Sequence, residues 1–176
     1  MTASSVHAAL AGAPPLIADA MQVARLLRAC DGGFVPPLSQ RVDIDAYAAK
    51  LALHARHACA WHDGVLVGLV ALYCNDLERH TAFITNVSVD PGHARRGIAS
   101  RLLGEALALG RAAGMRAVEL EVDADNTAAL ALYRGHGFAI AGAADGKALR
   151  MRLPLAGGQA AHSQQPMAIS SNQAKP

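Results

Sequence analysis

Two adjacent arginines followed by a glycine, in the run Arg95-Arg96-Gly97-Ile98-Ala99, carry the most legible chemistry in this chain. They stand between a segment that reads as a strand and one that reads as a helix. A helix N-terminus presents N–H groups with no intrahelical partner and a partial positive charge, so it attracts anions. Gly97 lets backbone come close to a ligand, Ala99 is too small to obstruct one, and the two guanidiniums add mobile cations. That combination suits a pyrophosphate. The residues alone leave a second reading open, a loop with two solvated arginines and a helix-starting glycine. A Walker loop does not fit, because Gly-Ile-Ala stands where Gly-Lys-Ser/Thr is needed, and a dinucleotide fingerprint would need two further glycines. His54 and His57 lie three apart on a segment that reads as helix. No third ligand accompanies them, which favours a solvated pair over a metal site. His93, beside the loop, either adds positive charge or is simply solvated.

The elements that position these residues follow from periodicity and punctuation. Ala20, Val23, Ala24 and Leu27 give a helix over Asp19–Ala29, stopped by Asp31-Gly32-Gly33. The prolines keep Phe34–Ser39 out of regular helix. A second helix starts at Asp43 or Asp45, with Ile44, Tyr47, Ala48 and Leu51 on one face. Ala58–Trp61, Val65–Tyr73 and Thr81–Val89 read as an antiparallel meander, its first turn made by His62-Asp63-Gly64. A helix over Gly97–Ala113 buries Ile98, Leu102, Leu103, Ala106 and Leu109 and ends at Gly114. Ala117–Val122 is a strand, a last helix runs from Asn126 or Thr127 to near Gly135, and Phe138–Ala141 pairs with Ala148–Leu153.

Bulk properties set the frame. The 176 residues, 52% hydrophobic, suit one globular domain over 16–155, flanked by disordered ends at 1–15 and 156–176. A net charge of +2 without a basic cluster offers no support for a nucleic-acid platform, and none is expected. Cys30, Cys59 and Cys74 are odd in number and lack metal-type spacing, so reduced thiols are expected. Met1–Leu16 has no Lys or Arg ahead of an apolar stretch, and no run approaches the roughly 18 apolar residues of a membrane span. Both point to the cytoplasm.

The stretch from Ile84-Thr85-Asn86-Val87-Ser88-Val89-Asp90-Pro91 through Arg95-Arg96-Gly97-Ile98-Ala99 to Leu102-Leu103 resembles the acetyl-CoA motif of the GNAT acyltransferase superfamily. That motif is a strand ending in Val-x-Pro, then Arg/Gln-x-x-Gly-x-Gly/Ala, then a helix with paired leucines. One position departs from it: Ala94 stands where Arg or Gln is usual. A second motif follows downstream, Leu120-Glu121-Val122 with Asn126, Ala129, Tyr133 and Gly137-Phe138. The two together cover about Thr81–Leu153.

The resemblance implies a mixed α/β (α+β) fold with a mostly antiparallel, twisted sheet, splayed at the cofactor site and flanked by helices. It implies acetyl-CoA as cosubstrate, with no metal, and a primary amine as acceptor. The Val87-Ser88-Val89 stretch would hold the pantetheine arm through backbone at Val87 and Val89. The amides from Arg95 through Arg96, Gly97, Ile98 and Ala99 to Ser100 would hold the pyrophosphate. Asn126 would contact the arm, cap the last helix, or do both. Tyr133 is implied as the acid that serves the departing thiolate, its other reading being an amphipathic core tyrosine. Glu121 is the preferred base, acting through a water from a partly buried position that raises its pKa. It precedes Tyr133 by the same interval as the catalytic pair in the branch that acetylates protein N-termini. Glu119 shares its face and is the reserve. Both carboxylates also read as solvated or ion-paired.

The acceptor side is less legible. Tyr73, Asn75, Asp76, Asn86 and the segment Phe34 to Arg41 are candidates, and Asp76 either holds a cationic amine or organises a turn. No cysteine stands in a nucleophile context, which favours direct transfer over an acyl-enzyme. A small-molecule amine, including an amino sugar, is the expected acceptor; a protein N-terminus or lysine is the alternative. A non-catalytic acyl-CoA-binding module is the reading from another class. Homodimers are common in the superfamily, but no interface is legible.

Overall fold

The computed structural model describes residues 18–34 and 36–155. The expectations for 1–15 and 156–176 lie outside the described residues. Within them the order is α1 (Ala20–Cys30), α2 (Ile44–His54), β1 (Arg56–His62), β2 (Val65–Asp76), β3 (Thr81–Val89), α3 (Ile98–Ala112), β4 (Ala117–Asp123), α4 (Thr127–Gly135), β5 (Ala139–Ala143) and β6 (Ala148–Pro154). The strands form one sheet in the order β1-β2-β3-β4-β6-β5, and only the β3–β4 pair is parallel. The sequence-based mixed, mostly antiparallel sheet is what is found.

Local signals set the element ends. Asp19 caps α1 through the Gln22 amide at 2.8 Å, and Asp43 caps α2 through the amides of Asp45 and Ala46. Asp63 and Gly64, both at positive φ, make the tight β1–β2 turn. Gly114, at φ +77°, closes α3 with its amide on the Arg111 carbonyl.

Two apolar clusters sandwich the sheet. On one face α3 and α4 bring Leu102, Leu103, Ala106, Leu130 and Tyr133 against Val70, Leu72, Ile84, Val118 and Leu120. On the other, α1 and α2 bring Val23, Leu27, Ala48 and Leu51 against Leu66, Leu69 and Ala71. β2 lies between the two layers, which is why its residues from Leu66 to Leu72 are buried without alternation. Fully burying a leucine is worth roughly 1.5–3 kcal/mol, so Leu102 and Leu103 alone hold α3 firmly on the sheet.

One expectation is corrected here. His54 and His57 do not share a helix, because α2 ends at His54 and His57 already belongs to β1. Nor is His57 freely solvated. Its Nε2 lies 3.0 Å from the Leu51 carbonyl, and burial lowers its pKa below the ordinary histidine value.

Candidate active site

β3 and β4 are paired only from Thr81 to Ile84 against Ala117 to Leu120. Beyond that point Thr85–Val89 and Glu121–Asp123 carry no mutual pairing, and the sheet opens. A cleft of about 980 Å³ fills the opening. Ala129, Leu132 and Tyr133 of α4 line it on one face; Phe34, Leu38, Arg41 and Tyr47 line it on the other.

A bulge fixes how β3 presents itself to this opening. Ala71 pairs with Asn86 and Leu72 with Ile84, so Thr85 has no partner on β2. The extra residue resets the alternation. Val87 and Val89 pack toward the α3 cluster, whereas Asn86 and Ser88 are buried opposite Ala71 and Leu69 on the α1–α2 face. The Asp90 amide donates to the Val67 carbonyl of β2 at 2.9 Å. By alternation the backbone of Ser88 also faces β2, and that of Val87 and Val89 faces the opening. Two contacts from the helical layer hold this edge. The Tyr47 hydroxyl donates to the Thr85 carbonyl at 3.1 Å, and the Cys30 thiol donates to the Val89 carbonyl at 3.3 Å. Burial pushes the Cys30 thiol up to about 11, so it stays a neutral donor.

Past Val89 the chain enters the loop that precedes α3. Asp90 caps a short 3-10 turn, accepting from the Gly92 amide at 2.8 Å. Arg95 then adopts φ +59° and Gly97 φ +74°. A left-handed arginine is uncommon and directs attention to function. Space does not demand glycine at position 97, since a Cβ there would meet nothing within 4 Å; the backbone angle does. The first intrahelical bond of α3 runs from the Arg101 amide to the Gly97 carbonyl at 3.0 Å, which leaves the Ile98, Ala99 and Ser100 amides ahead of the ladder. No side chain caps this end and no acidic residue lies in its first turn. A cavity of about 360 Å³ sits over these amides, lined by Ala94, Arg95, Gly97, Ile98, Ala99 and Ser100. It shares Val89, Ala129 and Leu132 with the larger cleft, so the two adjoin.

The remaining expected site residues fall as follows. Glu121 and Tyr133 both line the cleft, reaching it from opposite faces of the sheet. Glu121 is partly covered, with a cation as its neighbour. Its side chain is 40% exposed, and Arg150 of β6, directly opposite in register, donates to Oε1 at 3.0 Å. Glu119 shares that face as expected, bonded to Arg152. Tyr133 is buried, its ring edge-on to Phe138 with centroids 5.9 Å apart, and burial pushes its phenol up to about 12. Asn126 caps α4 through the Ala129 amide at 3.0 Å and also lines the cleft. Arg96 lines neither space; its guanidinium folds back onto the Gly92 carbonyl at 3.4 Å. Ser88 is likewise turned away. Its hydroxyl donates to Asn86 Oδ1 at 2.8 Å. Of the acceptor-side candidates, Phe34, Pro36, Leu38, Arg41 and Asn86 line the cleft, whereas Tyr73, Asn75 and Asp76 do not. Asp76 takes the Arg79 amide and organises its turn.

The model of the acetyltransferase (GNAT) family matches residues 21–138. The chain belongs to the GNAT family. Among similar proteins is the mycothiol acetyltransferase of Clavibacter michiganensis, 41% identical over 101 residues, 57% of this chain and 31% of that one. Another is the N-alpha-acetyltransferase RimI of Mycobacterium tuberculosis, 41% identical over 88 residues, 48% of this chain and 52% of that one. The chain thus spans about a third to a half of the length of these curated relatives. The protein yncA of Salmonella typhimurium, solved with acetyl-CoA, superposes with a TM-score of 0.63 at 20% identity, covering 84% of this chain and 96% of that one. That likeness establishes the GNAT fold.

Three features of this GNAT domain are not foreseen by the sequence reading. Gly68 on β2 lies under the start of α3, where a Cβ would come within 2.8 Å of Ile98 Cγ2 and 2.9 Å of Leu102 Cδ1. A lone glycine inside a strand pattern is the available signal for such an approach. Ser100 Oγ lies 2.9 Å from His136 Nε2, tying the first turn of α3 to the end of α4. The bulge at Thr85 has no sequence signal at all. Among the described residues no helix is long and apolar enough to cross a membrane, and no group of three or more His, Cys, Asp or Glu side chains could hold a metal.

Proposed function

We propose that this chain is an N-acetyltransferase that moves an acetyl group from acetyl-CoA directly to the primary amine of a small molecule. The observation that carries the reading is the adjacency of two spaces. A cavity over free amides at the start of α3 adjoins a cleft where backbone of β3 is not paired with β4. The residues fit the cosubstrate: an uncapped helix end without acidic neighbours suits a pyrophosphate, and the free edge at Val87 and Val89 suits an amide-bearing arm.

In this reading the Ile98, Ala99 and Ser100 amides and Arg95 bind the pyrophosphate, and Val87, Val89 and Asn126 orient the arm. Acetyl-CoA, when bound, supplies an acyl thioester. Glu121 takes the proton of the acceptor ammonium, through a water, at a carboxylate that Arg150 holds in the cleft mouth. Tyr133 keeps its proton at Oη across the physiological range. A phenol at about 12 gives up that proton reluctantly to a thiolate of ordinary pKa, about 8.5, so its fitting role is a donated hydrogen bond. Ser88 and Arg96 support the loop and strand from outside the cleft.

A second reading, a protein N-terminal acetyltransferase, is favoured by the likeness to RimI. Calorimetry with CoA, followed by a screen of small amines and peptide N-termini for acceptor-dependent CoA release, separates these readings. CoA binding without release of CoA under any acceptor would instead favour a non-catalytic acyl-CoA-binding module. Absence of CoA binding would sink all three.

A further inference from the structure

The charges around the acceptor end of the cleft do not cancel locally. On the β4 side stand Glu121, Asp123 and Asp125. Arg150 takes Glu121, and Lys147 takes Asp125 at 3.1 Å while also feeling the charge of Asp123. Three carboxylates thus share two cations. Asp123 has no ion pair of its own among the described residues. Its Oδ1 accepts only the Asp125 amide, at 2.8 Å. Its position on β4 is two beyond Glu121, on the same face, and past the last residue paired with β3.

Across the split the sign reverses. Arg41 lines the cleft from the α1–α2 connection and makes no ion pair among the described residues. It is not on a loose loop. Asp31 clamps the connection through the Ser39 amide at 2.8 Å and the Ser39 hydroxyl at 2.6 Å, and the Arg41 amide donates to the Leu38 carbonyl at 2.9 Å. Burial raises the Tyr47 phenol above its ordinary value, and the Arg41 guanidinium stands near enough to offset part of that rise; Tyr47 touches β3 at Thr85. One unmatched cation on the β3 side therefore shares the cleft with one surplus negative charge on the β4 side. An amine alone would satisfy half of this arrangement.

We propose that the acceptor is an amine that carries its own carboxylate, with the carboxylate held by Arg41 and the ammonium seated on Asp123. The inference rests on the acetyltransferase reading and narrows its substrate class. A planar guanidinium can take a carboxylate through two parallel N–H donors, which a lysine could not. Asp123 would hold the ammonium beside Glu121, the group assigned to deprotonate it. Phe34, Leu38 and Phe83 leave an apolar surround for the rest of such a molecule.

The test uses the full chain saturated with CoA and two matched pairs of probes, L-alanine with L-alaninamide and L-phenylalanine with L-phenylalaninamide. Binding is followed by calorimetry or by NMR titration. The expected result is that at least one amino acid saturates and binds about tenfold more tightly than its amide, a difference of about 1.4 kcal/mol. Arg41→Gln should erase that preference, and Asp123→Asn should weaken both members of the pair about equally, with CoA affinity unchanged in both variants. The inference is overturned if no amino acid binds, if the amides bind as well, or if Arg41→Gln keeps the preference. CoA binding to the wild type, measured first, tells the two failures apart: its absence brings down the acetyltransferase reading, whereas its presence without the preference brings down only this narrowing.

Discussion

Arg150 on β6 stands directly across from Glu121 on β4 and donates to its Oε1 at 3.0 Å. Both side chains remain half in water, so the pair contributes little to folding. Exposed pairs of this kind are worth about 0.2–1 kcal/mol. Its consequence is positional, because it holds a carboxylate at the mouth of the splayed sheet. Glu121→Gln should lower kcat about 100-fold at pH 7 while leaving CoA affinity unchanged. Arg150→Gln should leave the urea midpoint nearly unchanged and reduce kcat to a smaller degree than Glu121→Gln. Steady-state kinetics beside CoA calorimetry would read both. An equal loss of CoA affinity in Glu121→Gln would place the carboxylate in cofactor binding instead.

The two arginines of the anion loop should not be equivalent. Arg95 lines the cavity over the α3 amides, whereas Arg96 is folded onto the Gly92 carbonyl. Arg95→Ala is expected to weaken CoA about tenfold and Arg96→Ala less than threefold, each measured by calorimetry at low salt. Gly97→Ala forces a β-carbon onto φ +74° and should cost about 1–2 kcal/mol of stability together with CoA affinity.

What could be read before folding, and what could not, divides along physical lines. The loop–helix junction at Gly97 was legible because its signals are local: a glycine that alone tolerates the backbone angle, and a helix whose apolar spacing starts just after it. The β1–β2 turn was legible for the same reason. His57 was misplaced because nothing between Leu51 and His57 breaks a helix in sequence; Ala55 turns extended only because β1 must pair with β2. The sequence does not single out the partner of Glu121, because it is an arginine on β6, 29 residues away, whose position depends on strand register. The bulge at Thr85 has no marker, yet it decides that Val87 and Val89, rather than Ser88, face the opening.

Gly68 is the sharpest test of how the sheet supports the loop. A methyl group there would press on Ile98 and Leu102 and push the start of α3 away from β2. Gly68→Ala should therefore cost about 1–3 kcal/mol, and it should also weaken CoA because the Ile98 and Ala99 amides move with the helix. Thermal denaturation and calorimetry together check this. A variant that loses stability but keeps full CoA affinity would show that the loop is set by its own turns.

His57 should make the fold sensitive to mild acid. Burial holds its folded pKa below the ordinary value near 6.5, so the unfolded chain binds the proton more readily. The stability it contributes is present above about pH 6.5 and is lost as pH falls through the lower folded pKa. In His57→Gln, which keeps a donor for the Leu51 carbonyl, that part of the acid dependence should vanish. Urea midpoints measured between pH 7 and pH 4 for both proteins would reveal the difference, and parallel curves would contradict it.

Tyr133 links the chemistry to the alkaline limit of stability. Burial raises its folded pKa to about 12, against about 10 when unfolded. The neutral phenol is thus favoured in the fold, and its stabilising contribution is intact below pH 10. It is lost as pH rises through about 12, when the unfolded chain ionises first. At pH 11 the loss should already be about 1.4 kcal/mol. Cys30 and Cys59, both pushed to about 11 by burial, erode stability over an overlapping range, so the wild type alone cannot isolate the tyrosine. The comparison with Tyr133→Phe can, since both proteins keep the thiols. Their urea midpoints should differ little from pH 7 to pH 9 and diverge above pH 10, with the phenylalanine variant becoming the more stable. The same variant should lose about tenfold in kcat at pH 7 with CoA affinity preserved, because only the hydroxyl donor has gone. Divergence in alkali with unchanged kcat would leave Tyr133 as a core residue of α4, and the departing thiolate would then have to find its donor elsewhere in the cleft.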